Sequence, residues 1–158
     1  MAFCTLFTLA AYYDLKINQM DVKTVFLNGQ IIKDVYVKYP HGFSKSGEVY
    51  CLLKSLYGLK QSPYMWYKVI YDFLISLGFQ KLQADHSIFM TKNSPFTSIN
   101  GLIVLVYVDN IKIIGSRAAV DSLKQQLCSK FKITDLSPIS YYLSMTVTCN
   151  RKLKTITI

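Results

Sequence analysis

The most constraining feature of this sequence is an apolar run, LIVLVYV, at positions 102–108. A strand pattern with no polar alternation is typical of a strand that is buried on both faces. Asp109-Asn110 interrupts the run, and IKIIG at 111–115 then resumes a strand pattern. Together the two segments predict a β-hairpin with a carboxylate at its tip.

Helical and strand patterns alternate around this hairpin. A helix is predicted from Ser62 as N-cap and Pro63 to Gly78, which suits a left-handed helix end. Its apolar positions recur at helical spacing, as do those of a helix after Ser116. Those apolar positions are Trp66, Tyr67, Ile70, Phe73, Leu74, Leu77, and Val120, Leu123, Leu127, Phe131. Residues 3–13 predict a short apolar helix, and the predicted strands are 16–22, 31–39, 49–53, 102–108, 111–115, about 140–149 and 153–158. Helices and strands interleaved over a mainly antiparallel sheet indicate an α+β fold.

Composition excludes some classes of protein. The chain is 51% hydrophobic over 158 residues, enough for a core, so a disordered chain is excluded. The 18 Lys+Arg against 9 Asp+Glu give a net charge of +9, which favours a polyanionic partner, either nucleic acid or an acidic membrane. The alternative is a basic protein without such a partner. Four cysteines with no CxxC spacing predict reduced thiols rather than a zinc site or a disulfide framework.

Two aspartates are candidate metal ligands. Asp21 ends the predicted strand 16–22, and Asp109 stands at the predicted hairpin tip. Carboxylates at the ends of adjacent strands could share Mg²⁺, which prefers oxygen ligands. The ordinary alternative for Asp109-Asn110 is a solvated turn, because both residue types favour turns.

Three segments in order carry a more specific signal. They are DVKTVFLNG (21–29), VYCLLKSLYGLKQSPYMWY (49–67) and YVDN (107–110), with further matches in 35–43, 84–89, 123–131 and 135–147. Together they resemble the reverse transcriptase domain of copia/Ty-type retrotransposon polyproteins. The resemblance implies an RNA-directed DNA polymerase with a palm of antiparallel sheet backed by helices. Residues 1–158 would be a single partial domain, palm plus part of the fingers, truncated at the N-terminus, with 135–158 starting the primer-grip side.

The resemblance also implies roles for individual residues. Two Mg²⁺ ions, with Mn²⁺ as a possible substitute, would be held by Asp21, the backbone carbonyl of Val22 and Asp109. The incoming nucleotide would contact Phe26, Tyr57, Gly58, Lys60 and Gln61. For Tyr57 the alternative is core packing, and for Lys60 a solvated charge. Primer and template would contact Tyr107, Tyr141, Tyr142 and Leu143. The implied partners are an RNA or DNA template-primer and dNTPs, without a membrane, in an intracellular place such as a virus-like particle or the nucleus.

The sequence departs from the family pattern at four positions. Asn110 stands where the family has its second hairpin aspartate, and Tyr64 where it usually has arginine. Ser137 and Ser144 replace usual glycines, which would strain the backbone if those positions need positive φ. Three hypotheses follow: a degenerate fragment that folds but does not polymerise, a residually active polymerase, and a domesticated nucleic-acid-binding module.

Overall fold

The computed structural model describes residues 2–39, 42, 49–92, 101–142 and 145–157. Its helices are α1 (Ala2–Tyr12), α2 (Ser62–Ser76) and α3 (Arg117–Lys130), with a short 3-10 helix at Val25–Asn28. The three predicted helices are therefore confirmed to within a residue or two at each end. Gly78 has a φ of +85° and ends α2, as its position predicts. Among the described residues, no helix is long and apolar enough to cross a membrane.

The chain divides into two compact units, Met1–Lys23 with Leu74–Ile158, and Thr24–Phe73. The strands, in chain order, are β1 (Lys16–Val22), β2 (Tyr36–Lys38), β3 (Val49–Cys51), β4 (Phe79–Lys81), β5 (Ile88–Thr91), β6 (Leu102–Tyr107), β7 (Asn110–Gly115), β8 (Ile133–Asp135), β9 (Tyr141–Tyr142), β10 (Met145–Thr146), β11 (Thr148–Asn150) and β12 (Thr155–Thr157). In the first unit, six strands form one sheet in the order β4-β5-β6-β7-β1-β8. Every neighbouring pair is antiparallel, so the α+β class with a mainly antiparallel sheet is confirmed.

The two faces of this sheet are covered by different helices. Register places Ile17, Ile103 and Ile114 side by side on one face, where they cluster with buried side chains of α1. We call it the α1 face. Helix α3 contacts β7, and its buried positions Val120, Leu123 and Leu127 follow the predicted stripe. Because β6 is covered on both faces, its apolar run has no reason to alternate, and the prediction of a strand buried on both faces is confirmed.

The second unit contains the 3-10 helix, the antiparallel pair β2–β3 and most of α2. Gly29 allows a close approach within it, because a Cβ at this position would lie 2.8 Å from the Cβ of Met65. The carbonyl of Gly29 accepts a hydrogen bond from the N–H of Ser55 at 3.0 Å. Any side chain at position 29 would therefore push the Ser55 segment and α2 apart.

Some elements differ from the sequence predictions. The strand predicted at 31–39 is formed only at Tyr36–Lys38. Strands β4, β5 and β8 were not predicted, because each has three or four residues and too few positions to show a period. These three strands are formed by pairing with neighbouring strands of the sheet and not by a pattern in their own sequences.

Leu127 tests the packing of α3. Replacing Leu127 with Ala should lower the free energy of unfolding by about 2–5 kcal/mol, because the side chain is fully buried and its removal leaves a cavity. Chemical denaturation measures the change. Gln125→Ala, an exposed position on the same helix, is the matched control and should change stability by less than about 0.5 kcal/mol. Equal effects of the two substitutions would contradict this packing.

Candidate functional site

Asp21, Asn110 and Tyr107 form one lateral row across three strands of the sheet. Asp21 is the register partner of Asn110, and Asn110 is the partner of Tyr107. Directly opposed residues of antiparallel strands point to the same face, so the three side chains emerge together on the α1 face. We call these residues the Asp21 row. The structure therefore brings one candidate metal ligand beside the position where the family has its second hairpin aspartate.

Asp109 lies next to this row, in the hairpin connection. Val108 and Asp109 form the connection and Asn110 already belongs to β7, so the turn lies one residue earlier than the predicted Asp109-Asn110 break. The backbone carbonyl of Asp109 accepts a hydrogen bond from the N–H of Val22 at 2.8 Å. This bond ties the hairpin tip to the end of β1, where Asp21 stands.

The hairpin tip is conformationally strained. Val108 has a φ of +51°, a left-handed conformation that a β-branched residue rarely adopts. Such a conformation costs about 1–2 kcal/mol. The strain persists because strand pairing on both sides and the Asp109–Val22 hydrogen bond determine the path of the connection.

The Asp21 carboxylate forms a partly exposed ion pair with Lys23. Lys23 Nζ lies 2.7 Å from Asp21 Oδ2, and the lysine side chain is about half exposed. Solvent-exposed pairs of this kind contribute about 0–1 kcal/mol. A competing cation could therefore displace Lys23 at little cost.

A second lysine lies in the next row on the same face and is not exposed. Lys112 is two residues along β7 from Asn110, is only 1% exposed, and donates from Nζ to Asn110 Oδ1. Burial lowers the pKa of Lys112 to about 8, while the charge of Asp109 acts in the opposite direction. The ammonium is therefore a buried positive charge within electrostatic reach of the candidate metal ligands.

Gln19 faces Lys112 across the sheet. It is the register partner of Lys112 on β1 and is buried. Its side-chain oxygen Oε1 has no hydrogen-bond partner among the residues that the structure describes. Leu105 flanks Lys112 on the other side. The second row on the α1 face is thus Leu105, Lys112 and Gln19, a cation between an apolar side chain and an amide.

This donor set does not fit a two-magnesium site. It offers two carboxylates and one amide; Asp21 Oδ2 is paired with Lys23, and Asn110 Oδ1 accepts from Lys112. Across the described ranges, no three His, Cys, Asp or Glu side chains are placed to share an ion, and the four cysteines are free and exposed. Two divalent cations would meet too few anionic oxygens and one fixed ammonium.

The predicted nucleotide-binding residues lie in the second unit. The rings of Phe26 and Tyr57 meet edge to face, with centroids 4.6 Å apart, and Tyr57 is 61% exposed. Gly58 has a φ of +90°, a conformation that favours glycine, and space for a side chain is open around it. Lys60 is exposed and Gln61 is half-buried just before α2. An exposed Tyr57 does not match the core-packing alternative.

The residues predicted to contact primer and template differ in their exposure and in the strand that carries them. Tyr107 belongs to the Asp21 row and is about half exposed, and Tyr141 is exposed on β9. Tyr142 lies in the same strand, whereas Leu143 and Ser144 are outside the described residues. Ser137 has no left-handed φ, so the expected backbone strain at that position is not found.

A cavity of about 580 Å³ lies at the other end of β1, away from the Asp21 row. Lys16, Asn18 and Lys124 are among its lining residues. Two of its cations form ion pairs within the protein: Lys124 Nζ lies 2.9 Å from Asp135 Oδ2, and Arg151 lies 2.7 Å from Asp14. The cavity is therefore separate from the candidate metal ligands.

Sequence reasoning missed Lys112 and Gln19. The available signal was the lysine inside IKIIG, the only charged residue of an otherwise apolar strand segment. Such a residue is either at an exposed edge or held by a specific partner. Its partner, Asn110, could be assigned only once the strand register was known.

Comparisons with known proteins agree with this architecture. The family described as "Reverse transcriptase (RNA-dependent DNA polymerase)" matches residues 3–158. The chain is 36% identical to a retrovirus-related Pol polyprotein from transposon TNT 1-94 of Nicotiana tabacum, over 93% of this chain and 11% of that protein. It is 35% identical to the Pol polyprotein from transposon RE1 of Arabidopsis thaliana, over 82% of this chain and 9% of that one.

The match extends to yeast transposons. A transposon Ty1-BL Gag-Pol polyprotein of Saccharomyces cerevisiae is 29% identical over 82% of this chain and 7% of its own length. The chain belongs to the reverse transcriptase family, in the branch of Ty/copia-type retrotransposons. It spans about a tenth of the length of these curated relatives.

The buried Lys112 predicts a pH-dependent stability. Lys112→Met should raise the free energy of unfolding at pH 7 by up to about 3 kcal/mol, because the folded pKa of about 8 lies below the ordinary 10.5. Between pH 8 and 10.5 the unfolded chain binds more protons than the folded chain, so wild-type stability rises relative to the variant. Denaturation at pH 7 and pH 10 should show the difference shrinking. A constant difference would contradict the burial of a charged lysine; Lys16→Met, exposed on β1, is the control.

Proposed function

We propose that this chain is the palm and part of the fingers of a retrotransposon reverse transcriptase, and that this copy does not carry out template-directed polymerisation. Residues 1–158 form a single partial domain in this proposal, with 135–158 beginning the primer-grip side. The observation that carries the proposal is the state of Asn110, which is uncharged and whose Oδ1 accepts a hydrogen bond from Lys112.

The family chemistry explains why this position matters. Nucleotidyl transfer by two metal ions needs a site that attracts both cations and holds them about 3.5–4 Å apart. Each carboxylate adds a full negative charge to that attraction, whereas an amide oxygen contributes only a dipole. With Asp21 and Asp109 as the remaining carboxylates, Lys23 paired with Asp21 and Lys112 beside Asn110, the two negative and two positive charges of the site cancel formally.

The aromatic residues Phe26, Tyr57 and Tyr107, which would contact nucleic acid, match the family pattern, whereas Asn110 at the metal site does not. The Phe26–Tyr57 ring pair supports a surface for a nucleotide in the second unit, and Tyr107 offers an exposed ring in the Asp21 row. Stacking of a base on an aromatic side chain is worth about 1–3 kcal/mol and does not need a metal. Binding can therefore outlast catalysis in this copy.

A second candidate function is non-catalytic nucleic-acid binding by a domesticated module. The net charge of +9 favours it, because lysines that neutralise phosphates release counterions into solution. The two candidates have the same chemistry, because both predict nucleic-acid binding without polymerisation. They differ in whether natural selection has kept that binding. Their shared alternative is a residually active polymerase.

Primer extension tests the loss of polymerisation. With a primed RNA or DNA template, dNTPs and either Mg²⁺ or Mn²⁺, the wild-type chain should extend the primer no faster than Asp21→Asn/Asp109→Asn. That double variant removes the two remaining carboxylates and defines the background. Extension by the wild type that exceeds this background tenfold would overturn the proposal and favour the residually active polymerase.

Salt dependence tests the nucleic-acid binding. Affinity for a primer-template duplex should fall by on the order of 100-fold between 50 and 200 mM salt if about four phosphates are contacted. Tyr107→Ala should weaken binding about tenfold through lost stacking. Tyr12→Ala, an exposed tyrosine at the end of α1, is the matched control and should bind like the wild type. Affinity that does not respond to salt would reject the binding proposal.

A further inference from the structure

Lys112 has a position that its role in folding does not explain. The α1 face carries three successive lateral rows: Ile103, Ile114 and Ile17; then Leu105, Lys112 and Gln19; then the Asp21 row. A residue in the middle row is covered on all sides, and an apolar side chain there would extend the core. A buried ammonium instead carries a desolvation cost of several kcal/mol unless oxygen atoms surround it.

Oxygen atoms are present on one side of Lys112. Asn110 Oδ1 accepts a hydrogen bond from its Nζ, and Asp109 is close enough to favour its charged form. Gln19 Oε1, across the sheet, is a buried acceptor without a hydrogen-bond partner in the part of the chain that the structure describes. All of these groups favour a cation at this point of the α1 face.

We propose that Lys112 is a built-in counter-cation of the acidic site, and that it opposes divalent-metal binding independently of the missing charge at Asn110. The inference rests on the proposed function, because it concerns the same site, and it names the group that keeps the site closed to metals. Lys112 acts here as a positioning residue: it fixes the orientation of Asn110 and contributes a charge that cannot move away.

The two lysines of the site differ in this respect. Lys23 is half exposed, so a metal ion approaching Asp21 can displace it into water. Lys112 is buried in the row next to the Asp21 row, and moving into water would break its hydrogen bond to Asn110. Lys112 therefore remains next to position 110, where its charge repels a cation that binds beside Asn110.

This arrangement changes the expected result of a simple reversion. Asn110→Asp restores the third carboxylate, but the new carboxylate faces the Nζ that now donates to Asn110 Oδ1. A half-buried carboxylate at hydrogen-bond distance from a buried ammonium forms an ion pair, which satisfies the added charge internally. Metal affinity should then return only when Lys112 is also replaced by a neutral side chain.

Binding of Mn²⁺ alone, followed by electron paramagnetic resonance at pH 7, tests the proposal without any need for activity. The proteins to compare are Asn110→Asp, Lys112→Met and the double variant, with thermal unfolding to confirm that each folds. The double variant should bind Mn²⁺ at least about tenfold more tightly than Asn110→Asp. Lys112→Gln in place of Met, which keeps a polar group without charge, should give the same result.

The control is Asn110→Asp/Lys16→Met, which removes one positive charge from the same strand system far from the row. It should bind Mn²⁺ like Asn110→Asp. A gain of less than tenfold on removing Lys112, or an equal gain on removing Lys16, would overturn the inference. Primer extension by the wild type would instead overturn the proposed function, so the two failures are distinguishable.

Discussion

The antiparallel pairing of β1 with β7 is the interaction on which the first unit depends. It joins residues that are about ninety positions apart in the chain, and it places Ile17 beside Ile114 and Asp21 beside Asn110 in the same register. A slip of one residue would move every side chain of β1 to the other face. The apolar end of the register, packed against α1, therefore also determines which polar groups meet at the other end.

The site and the core share strands but depend on different forces. The apolar rows are stabilised by burial, which is not directional and tolerates substitution. The Asp21 row depends on the charges and positions of its side-chain oxygen atoms, and replacing one carboxylate there with an amide removes a full negative charge. Asn110 illustrates the asymmetry: it pairs in the strand as an aspartate could, yet it supplies no anionic oxygen.

The sequence predicts the long elements of this fold well. LIVLVYV and IKIIG predict the hairpin because two short apolar runs separated by turn-forming residues are typical of paired strands. Apolar residues at helical spacing predict α2 and α3, and Gly78 marks the end of α2. The short strands β4, β5 and β8 could not be predicted, because their pairing is decided by neighbours distant in sequence. For the site, the motifs select Asp21, Asp109 and Asn110, but the contact between Lys112 and Asn110 follows only from side-chain placement within the register.

The strained connection at Val108 has a consequence for how such a chain can change over generations. A left-handed valine between two firmly paired strands and the hydrogen bond from the Val22 N–H to the Asp109 carbonyl hold Asp109 through backbone interactions that do not involve the side chain of residue 110. Asn110 keeps its register with Asp21 and Tyr107 although it is uncharged, and a neutral group beside carboxylates lessens the repulsion among them. Position 110 can therefore change its charge while the register of the strands and the turn stay the same, so the fold and the charge of this site can vary independently.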